Sequence, residues 1–290
     1  MKKDVVCIGQ AVVDCIVRGR EEMPARKNVY RAESITLSTG GDALNESVHL
    51  AALGHSVKVV CGLGRDTAGD LILNTVQKYG INGDDITVSD DLVTVVANLN
   101  VNTDGTRSSV NSRAAMLGDY LPSADVVREA RVVSLASLFR APLDRADVVR
   151  ELILEAKRQG AIVCADTKLP TYREIHLKDL EDVLPLIDYI FPNETEAAYY
   201  SGREDFAEMA REIHRMGVKN VIVKAGKQGC FVCSDEGSFQ IESRNVRAVD
   251  SSGAGDAFAA GFIDGLLRGL DLRGCCESGT DRAALCVQHV

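Results

Sequence analysis

Apolar positions recur along the chain in two alternating rhythms. Residues 5–17 form a β-branched apolar run interrupted by Gly9 and Asp14. Residues 43–53 place Leu44, Val48, Ala51 and Ala52 on one helical stripe, which Gly54 can end. The same reading predicts strands at 57–63, 132–138, 161–165, 189–191 and 221–223, and helices at 67–79, 144–158 and 204–216. Short buried strands that alternate with helices pair in parallel through right-handed crossovers. The expected fold is therefore α/β, a doubly wound, mostly parallel sheet with helices on both faces.

Two stretches break the rhythm. Residues 15–37 and 93–112 are alternating or polar, and Thr94 to Val101, followed by Asn102-Thr103-Asp104-Gly105, reads as half of a hairpin. Both can come together as a small β flap beside the main sheet. No internal repeat, low-complexity tract or proline-rich linker divides the chain, so residues 1–290 are expected to form one domain with the flap appended.

Composition removes several function classes. Of 290 residues 46% are apolar, enough for a sizeable core, and the net charge is −9. A surface of that sign repels phosphate backbones, which argues against a general nucleic-acid binder and still permits a small anionic ligand held locally. No run of 18 uncharged apolar residues exists, and the first apolar stretch is too short for a signal peptide. The nine cysteines are scattered through apolar segments, as reduced core cysteines are. The expectation is a cytoplasmic protein with no membrane and no nucleic-acid partner.

The strongest chemical signal is Asp250-Ser251-Ser252-Gly253-Ala254-Gly255-Asp256, followed by helix formers with Phe258, Phe262 and Leu266 at apolar spacing. A helix that starts near Gly253 or Ala254 leaves its first N–H groups unpaired, and with the positive end of the dipole these suit a phosphate. Asp256 is then either a cap or dipole partner, or a general base that takes a proton from a hydroxyl attacking the bound phosphate. A second signal, Thr39-Gly40-Gly41-Asp42-Ala43-Leu44-Asn45, is either a tight strand-to-helix turn or a close approach of backbone to ligand, with Asn45 offering donor and acceptor.

Asp14 lies within the first apolar run, as a turn residue or as an acid at a strand end that holds substrate hydroxyls. Asn193-Glu194-Thr195-Glu196 can position Mg²⁺-bound water near phosphates, although the dipole alone also favours acids at a helix start. Lys224-Ala225-Gly226-Lys227-Gln228-Gly229 reads as a glycine-stabilised turn between strands. Other patterns fail. Gly62-Leu63-Gly64 lacks the third glycine of a dinucleotide fingerprint, no Walker loop is present, and Cys230 and Cys233 lie on a strand where such positions face opposite ways.

In order and spacing these motifs together resemble the ribokinase-like (PfkB) carbohydrate kinase family. The stretch from Gly40-Gly41 through Asn45, Ser47 and Gly54 to Gly64 is similar to that family's first signature, and Asp250 through Phe262 to its second. The likeness runs from Val5 to about Val287. It implies a ribokinase-like fold with a β lid formed by about 15–37 and 93–112, a lid often used for dimerisation, and hence a homodimer. It implies ATP-dependent phosphotransfer to a hydroxymethyl group of a small sugar or sugar derivative. Asp256 would be the general base, with the backbone of Gly253, Ala254, Gly255 and Asp256 as anion hole. Asp14, Gly40, Gly41 and Asn45 would hold the sugar. Lys224, Gly226 and Gly229, with Gly253 and Gly255, would border the nucleotide. Asn193 and Glu196 would organise Mg²⁺ through water, and Asp250 and Ser252 match positions that supply ligands to a monovalent cation such as K⁺.

The chain also departs from the family pattern. Ribokinases carry Lys after the paired glycines, where Asp42 stands here, which suggests a different sugar. Asp166-Thr167-Lys168 replaces Asp-x-Asn, and Lys168 either adds positive charge near the phosphates or is solvated. Arg113 falls near the place where sugar-acid kinases put an Arg for the substrate carboxylate. Relatives usually continue past Val290 through a Gly-Ala turn, so the cation site is expected to be incomplete. A nucleoside kinase of the same fold is the alternative, against which 93–112 holds no aromatic and 15–37 only Tyr30. A non-catalytic sugar- or nucleotide-binding regulator is another, against which the intact Asp256 and its glycines speak.

Overall fold

A computed structural model of the chain describes residues 3–22, 28–102, 107–111 and 120–288. An eight-stranded sheet lies at the centre, in the order Gly237–Ile241, Cys230–Ser234, Asn220–Lys224, Tyr189–Ile190, Ile162–Thr167, Ala130–Leu138, Lys3–Ile8, Val57–Val60. The last six of these pair in parallel, and the first two return antiparallel.

Among the described residues seven α-helices accompany the sheet: α1 (Asp42–Ala52), α2 (Thr67–Lys78), α3 (Ala146–Arg158), α4 (Glu194–Ser201), α5 (Phe206–Arg215), α6 (Ala254–Leu267) and α7 (Leu272–Cys286). The strand Lys3–Ile8 shows why both faces are covered. Side chains alternate across a strand, so Val6 and Ile8 enter one apolar cluster with Leu152, Ala197 and Ile213 of α3, α4 and α5. Val5 and Cys7 enter the other with Leu44, Ile72, Phe262 and Cys275 of α1, α2, α6 and α7. A continuous β-branched run thus supplies two cores, and the expected doubly wound arrangement is what the chain forms.

The run at 5–17 is not one strand, which corrects the placement of Asp14. At Gly9 the backbone passes so close to Ser137 that a Cβ would lie 2.6 Å from its Oγ. The first strand ends there, and the chain re-enters as Val12–Arg18 in a separate four-stranded sheet. The order in that small sheet is Arg107–Asn111, Val95–Val101, Val12–Arg18, Ser34–Gly40, with Asp14 opposite Ala97 and Ser38. Residues 57–63 divide likewise, with Gly62–Gly64 pairing Thr87–Ser89 outside the main sheet.

Lys3–Ile8 has Val57–Val60 on one side and Ala130–Leu138 on the other, so the direction of winding reverses there. Crevices beyond the carboxyl ends of strands at such a switch point are the usual ligand sites of open α/β sheets. Here the Gln10 backbone N–H donates to Ser137 Oγ at 3.1 Å, and that hydroxyl donates to Asp42 Oδ2 at 2.9 Å, which ties the start of α1 to both strands.

Candidate active site

The start of α6 is built from small residues. Gly253 caps it in the left-handed region at φ 73, which a residue without Cβ adopts freely. The Ala254 N–H donates to the Ser251 carbonyl, whereas those of Gly255 and Asp256 have no protein acceptor among the described residues. A Cβ at Gly255 would lie 3.1 Å from Lys224 Nζ. Two free amides, the positive end of a 14-residue helix and an ammonium group therefore meet at one point.

Asp256 stands behind that point, 5% exposed, and accepts from Asn45 Nδ2 at 2.7 Å. Burial, and then the nearby Asp42, push its carboxyl up to about 7, against the opposing pull of Lys168. An acid tuned there is suited to exchanging protons near neutral pH.

Charged groups surround it in one chain. Lys224 donates to both oxygens of the fully buried Asp166, at 2.7 and 2.8 Å. Lys168 lies between Asp42, at 3.1 Å, and Asp166, at 3.8 Å. Burial alone would raise the Asp42 carboxyl, but the Lys168 charge and hydrogen bond hold it below its ordinary value. Burial would lower Lys168, yet Asp166, Asp42, Asp256 and Glu196 together keep it well above the usual lysine range. Lys168 is thus paired rather than solvated, and with Asp42 and Asp166 it was not among the residues the motifs assign to the site. Glu46 is fully buried, takes the Ser134 hydroxyl at 2.6 Å, and keeps Oε1 without a partner; burial and then Asp166 raise its carboxyl far above the ordinary range.

The paired glycines answer two different contacts. At Gly40 a Cβ would lie 2.3 Å from Asp14 Oδ2, and at Gly41, with φ 91, it would lie 2.6 Å from the Gln10 carbonyl oxygen. Asp14 itself has no hydrogen-bond partner among the described residues, and burial, then Asp42, raise its carboxyl. Two cavities meet at this side chain. One, of about 290 Å³, is lined by Gln10, Gly41, Asp42, Arg140 and Lys168. The other, of about 940 Å³, is lined by Gly40, Asn45, Asp250, Gly253 and Arg282.

Of the residues the sequence assigns to the site, Asp14, Gly40, Gly41, Asn45 and Gly253 line these two cavities, whereas Asp256 is reached from Asn45 by its hydrogen bond and Lys224 stands against Gly255 beside it. Asn193 and Glu196 line neither cavity and form a capping box on α4: Asn193 N and Nδ2 donate to the Glu196 carboxylate at 2.9 and 2.7 Å, and Thr167 Oγ1 adds a third bond at 3.0 Å. Gly226 faces open space, whereas Gly229, at φ 82, sits where a Cβ would collide with the Ile241 carbonyl. Asp250 accepts from Arg18 at 2.8 Å and from the Ser252 N–H at 2.9 Å. Arg113 lies outside the described residues.

A family model described as pfkB family carbohydrate kinase matches residues 2–290. A cytidine kinase of Thermococcus kodakarensis is 27% identical, over 97% of this chain and 94% of the relative. A ribokinase of Haemophilus influenzae is 29% identical, over 88% of this chain and 83% of the relative. The solved structure of Arabidopsis thaliana ribokinase complexed with ribose and ATP covers 100% of this chain and 94% of its own, at 26% identity and a TM-score of 0.85. The architecture is thus the ribokinase fold.

Proposed function

The chain belongs to the pfkB family of carbohydrate kinases, and on that premise we propose that it transfers the γ-phosphoryl group of ATP to a hydroxymethyl group of a small sugar or sugar derivative. The observation that carries this reading is the meeting of Asp256, the free amides of Gly255 and Asp256, and the Lys224 ammonium at the start of α6. The acceptor rests beside Asp14, its hydroxyls donating to that carboxylate and to Asn45 Oδ1, with backbone at Gly40 and Gly41 close by. Asp256 takes the hydroxyl proton as the oxygen attacks phosphorus. The new O–P bond forms while the bond from phosphorus to the ADP oxygen breaks, and its electron pair leaves with ADP. Amides and ammonium face the negative charge on the equatorial oxygens, already in place before the reaction.

The nucleotide approaches over the open side of Gly226 and the first turn of α6; Gly229 shapes that turn from behind. Mg²⁺ carried by ATP keeps several waters and binds through phosphates with one or two carboxylates. The residues fit this mode: Glu196 has both oxygens engaged and would meet an ion through water, and no group of three His, Cys, Asp or Glu among the described residues would hold a bare ion. Bound with the nucleotide, the ion would supply neutralisation of phosphate charge. A monovalent cation at Asp250 and Ser252 does not fit as well, because the Arg18 guanidinium already faces Asp250.

A nucleoside acceptor is the second reading, favoured by the cytidine kinase relative and by Tyr172 on the smaller cavity. ADP release measured on pentoses, hexoses, sugar acids and nucleosides separates the two, with Asp256→Asn as control. Turnover of no candidate would favour a non-catalytic regulator. The outer face of the small sheet suits a homodimer: Leu37, Cys15, Asn98 and Val110 lie in register across it, and Leu37 and Val110 are 66% and 67% exposed. Sedimentation of Leu37→Lys against the parent chain tests that contact. No helix among the described residues is long and apolar enough to cross a membrane.

A further inference from the structure

Resting on the kinase reading, we propose that the acceptor carries an anionic group, a carboxylate or a phosphate ester, and that Arg140 reads it in the smaller cavity. The charges lining that cavity are Asp14, Asp42, Asp144, Arg140 and Lys168. Asp42 is paired with Lys168, which also faces Asp166, and Asp144 is paired with Arg173 at 2.9 Å. Among the described residues, Asp14 and Arg140 remain without an ionic partner.

Arg140 is not loose. It stands half-buried just after the strand Ala130–Leu138, and its Nε donates to the Leu169 carbonyl at 3.0 Å. That bond fixes the plane of the guanidinium, while both terminal nitrogens have no partner among the described residues. A planar fork with its donors free matches the oxygens of a carboxylate or phosphate. A neutral polyol would leave this cation half-desolvated with only dipoles to face it, whereas an anion restores what burial removed.

The arrangement also sets the direction of the acceptor. Arg140 belongs to the cavity on one side of Asp14, and Asn45 and Gly253 to the cavity on the other. The phosphorylated hydroxyl is therefore at the opposite end of the molecule from the anion. In a straight-chain sugar acid it is the terminal hydroxymethyl rather than a hydroxyl beside the carboxylate.

Calorimetric titration without nucleotide tests this on pairs that differ in charge: D-gluconate against D-glucitol, and fructose 6-phosphate against fructose. The parent chain should bind the anionic member of one pair about 100-fold more tightly, as two charge-assisted hydrogen bonds provide. Arg140→Gln should remove that preference and leave the neutral member within about twofold, and Arg140→Lys should keep roughly a tenth of it, having charge without the fork. Whichever pair discriminates tells carboxylate from phosphate. Equal affinity within both pairs, or a preference that survives Arg140→Gln, overturns the proposal. Product analysis with ATP separates it from the kinase reading: anionic preference without transfer leaves the subsite standing alone, and transfer to neutral sugars only removes the subsite and leaves the kinase.

Discussion

The two ends of the crevice are built on opposite terms. At the α6 end the ionisable groups find partners inside the protein: Asp166 takes both bonds of Lys224, Asp256 takes Asn45, and Glu196 takes Asn193 and Thr167. At the small-sheet end, among the described residues, Asp14 has no hydrogen-bond partner and the Arg140 side chain gives a single bond, to the Leu169 carbonyl. On the proposed kinase reading, the phosphoryl group at the α6 end is the same in every turnover, so its surroundings are assembled in advance, and preorganised charge is where most rate enhancement arises. On the same reading the other end would be completed by the acceptor. Changes at α6 should therefore appear in kcat and in folding stability, and changes on the small sheet in the acceptor KM.

The largest expected break is Asp256→Asn. Loss of a positioned base should lower kcat by about 10³-fold. The folded chain holds the Asp256 proton up to about pH 7, whereas an unfolded carboxyl of ordinary value 3.8 has already lost it. Stability from this group is therefore full at low pH and falls as pH rises through that window, while activity rises through it because the base is the deprotonated form. The variant should be more stable at neutral pH, by up to about 4 kcal/mol. Thermal melts from pH 4 to 8 beside initial rates check both signs, and a variant less stable than its parent would show the carboxylate to be structural.

Lys224→Met comes next. It leaves the buried Asp166 with only Lys168, at 3.8 Å, and a buried carboxylate short of its cation costs about 3 kcal/mol. Turnover should fall about 100-fold with the loss of a charge facing the phosphoryl group. Urea melts and kinetics of Asp166→Asn/Lys224→Met sharpen the assignment. Stability should return in that double variant and turnover should not.

Much of this end was legible in the sequence because its signals are local. Small residues at 251–255 before apolar i, i+4 spacing announce a helix start, and α6 begins at Ala254. The β-branched run at 5–8 reads as a strand buried on both faces and is one. What was illegible depends on contacts far along the chain. Nothing near Gly9 tells that Ser137 will crowd it, so the change of sheet that carries Asp14 away is invisible. The apolar positions of α7 are too sparse to give a helical stripe. Arg140 carries no local signal, and for Lys168 the sequence leaves a place near the phosphates and a solvated one both open until Asp42 of α1 comes to pair with it.

Asp42 and Lys168 show the same point in a testable form. Two separate departures from the family pattern, an acid after the paired glycines and a lysine after Asp166-Thr167, are the halves of one ion pair. Asp42→Lys should place two ammonium groups together and cost about 2 kcal/mol. Asp42→Lys/Lys168→Asp should recover to within about 1 kcal/mol, since neighbours in one network are not additive. Chemical melts of the three variants read the coupling, and a double variant as unstable as the sum of its parts would mean that the two departures are unrelated.

The smallest effect, and the one that bears most directly on the contrast between the ends, is expected from Asp14→Asn. The side chain keeps its size and remains clear of Gly40, so the small sheet should retain its register. No hydrogen bond inside the protein is lost, because Asp14 makes none among the described residues. Its carboxyl is raised by burial and then by Asp42, so a neutral amide relieves a mild repulsion, and stability should hold or rise by less than about 1 kcal/mol. The amide still accepts through Oδ1 and loses the charge that strengthens a hydroxyl's bond to it, which should raise the acceptor KM about tenfold. The KM for ATP and kcat should stay within about twofold, since uniform binding is what is removed. Steady-state kinetics with each substrate varied in turn decides the matter. If kcat falls as far as it does for Asp256→Asn, the separation of the two ends is wrong, and Asp14 belongs with the groups that act on the transferring phosphoryl.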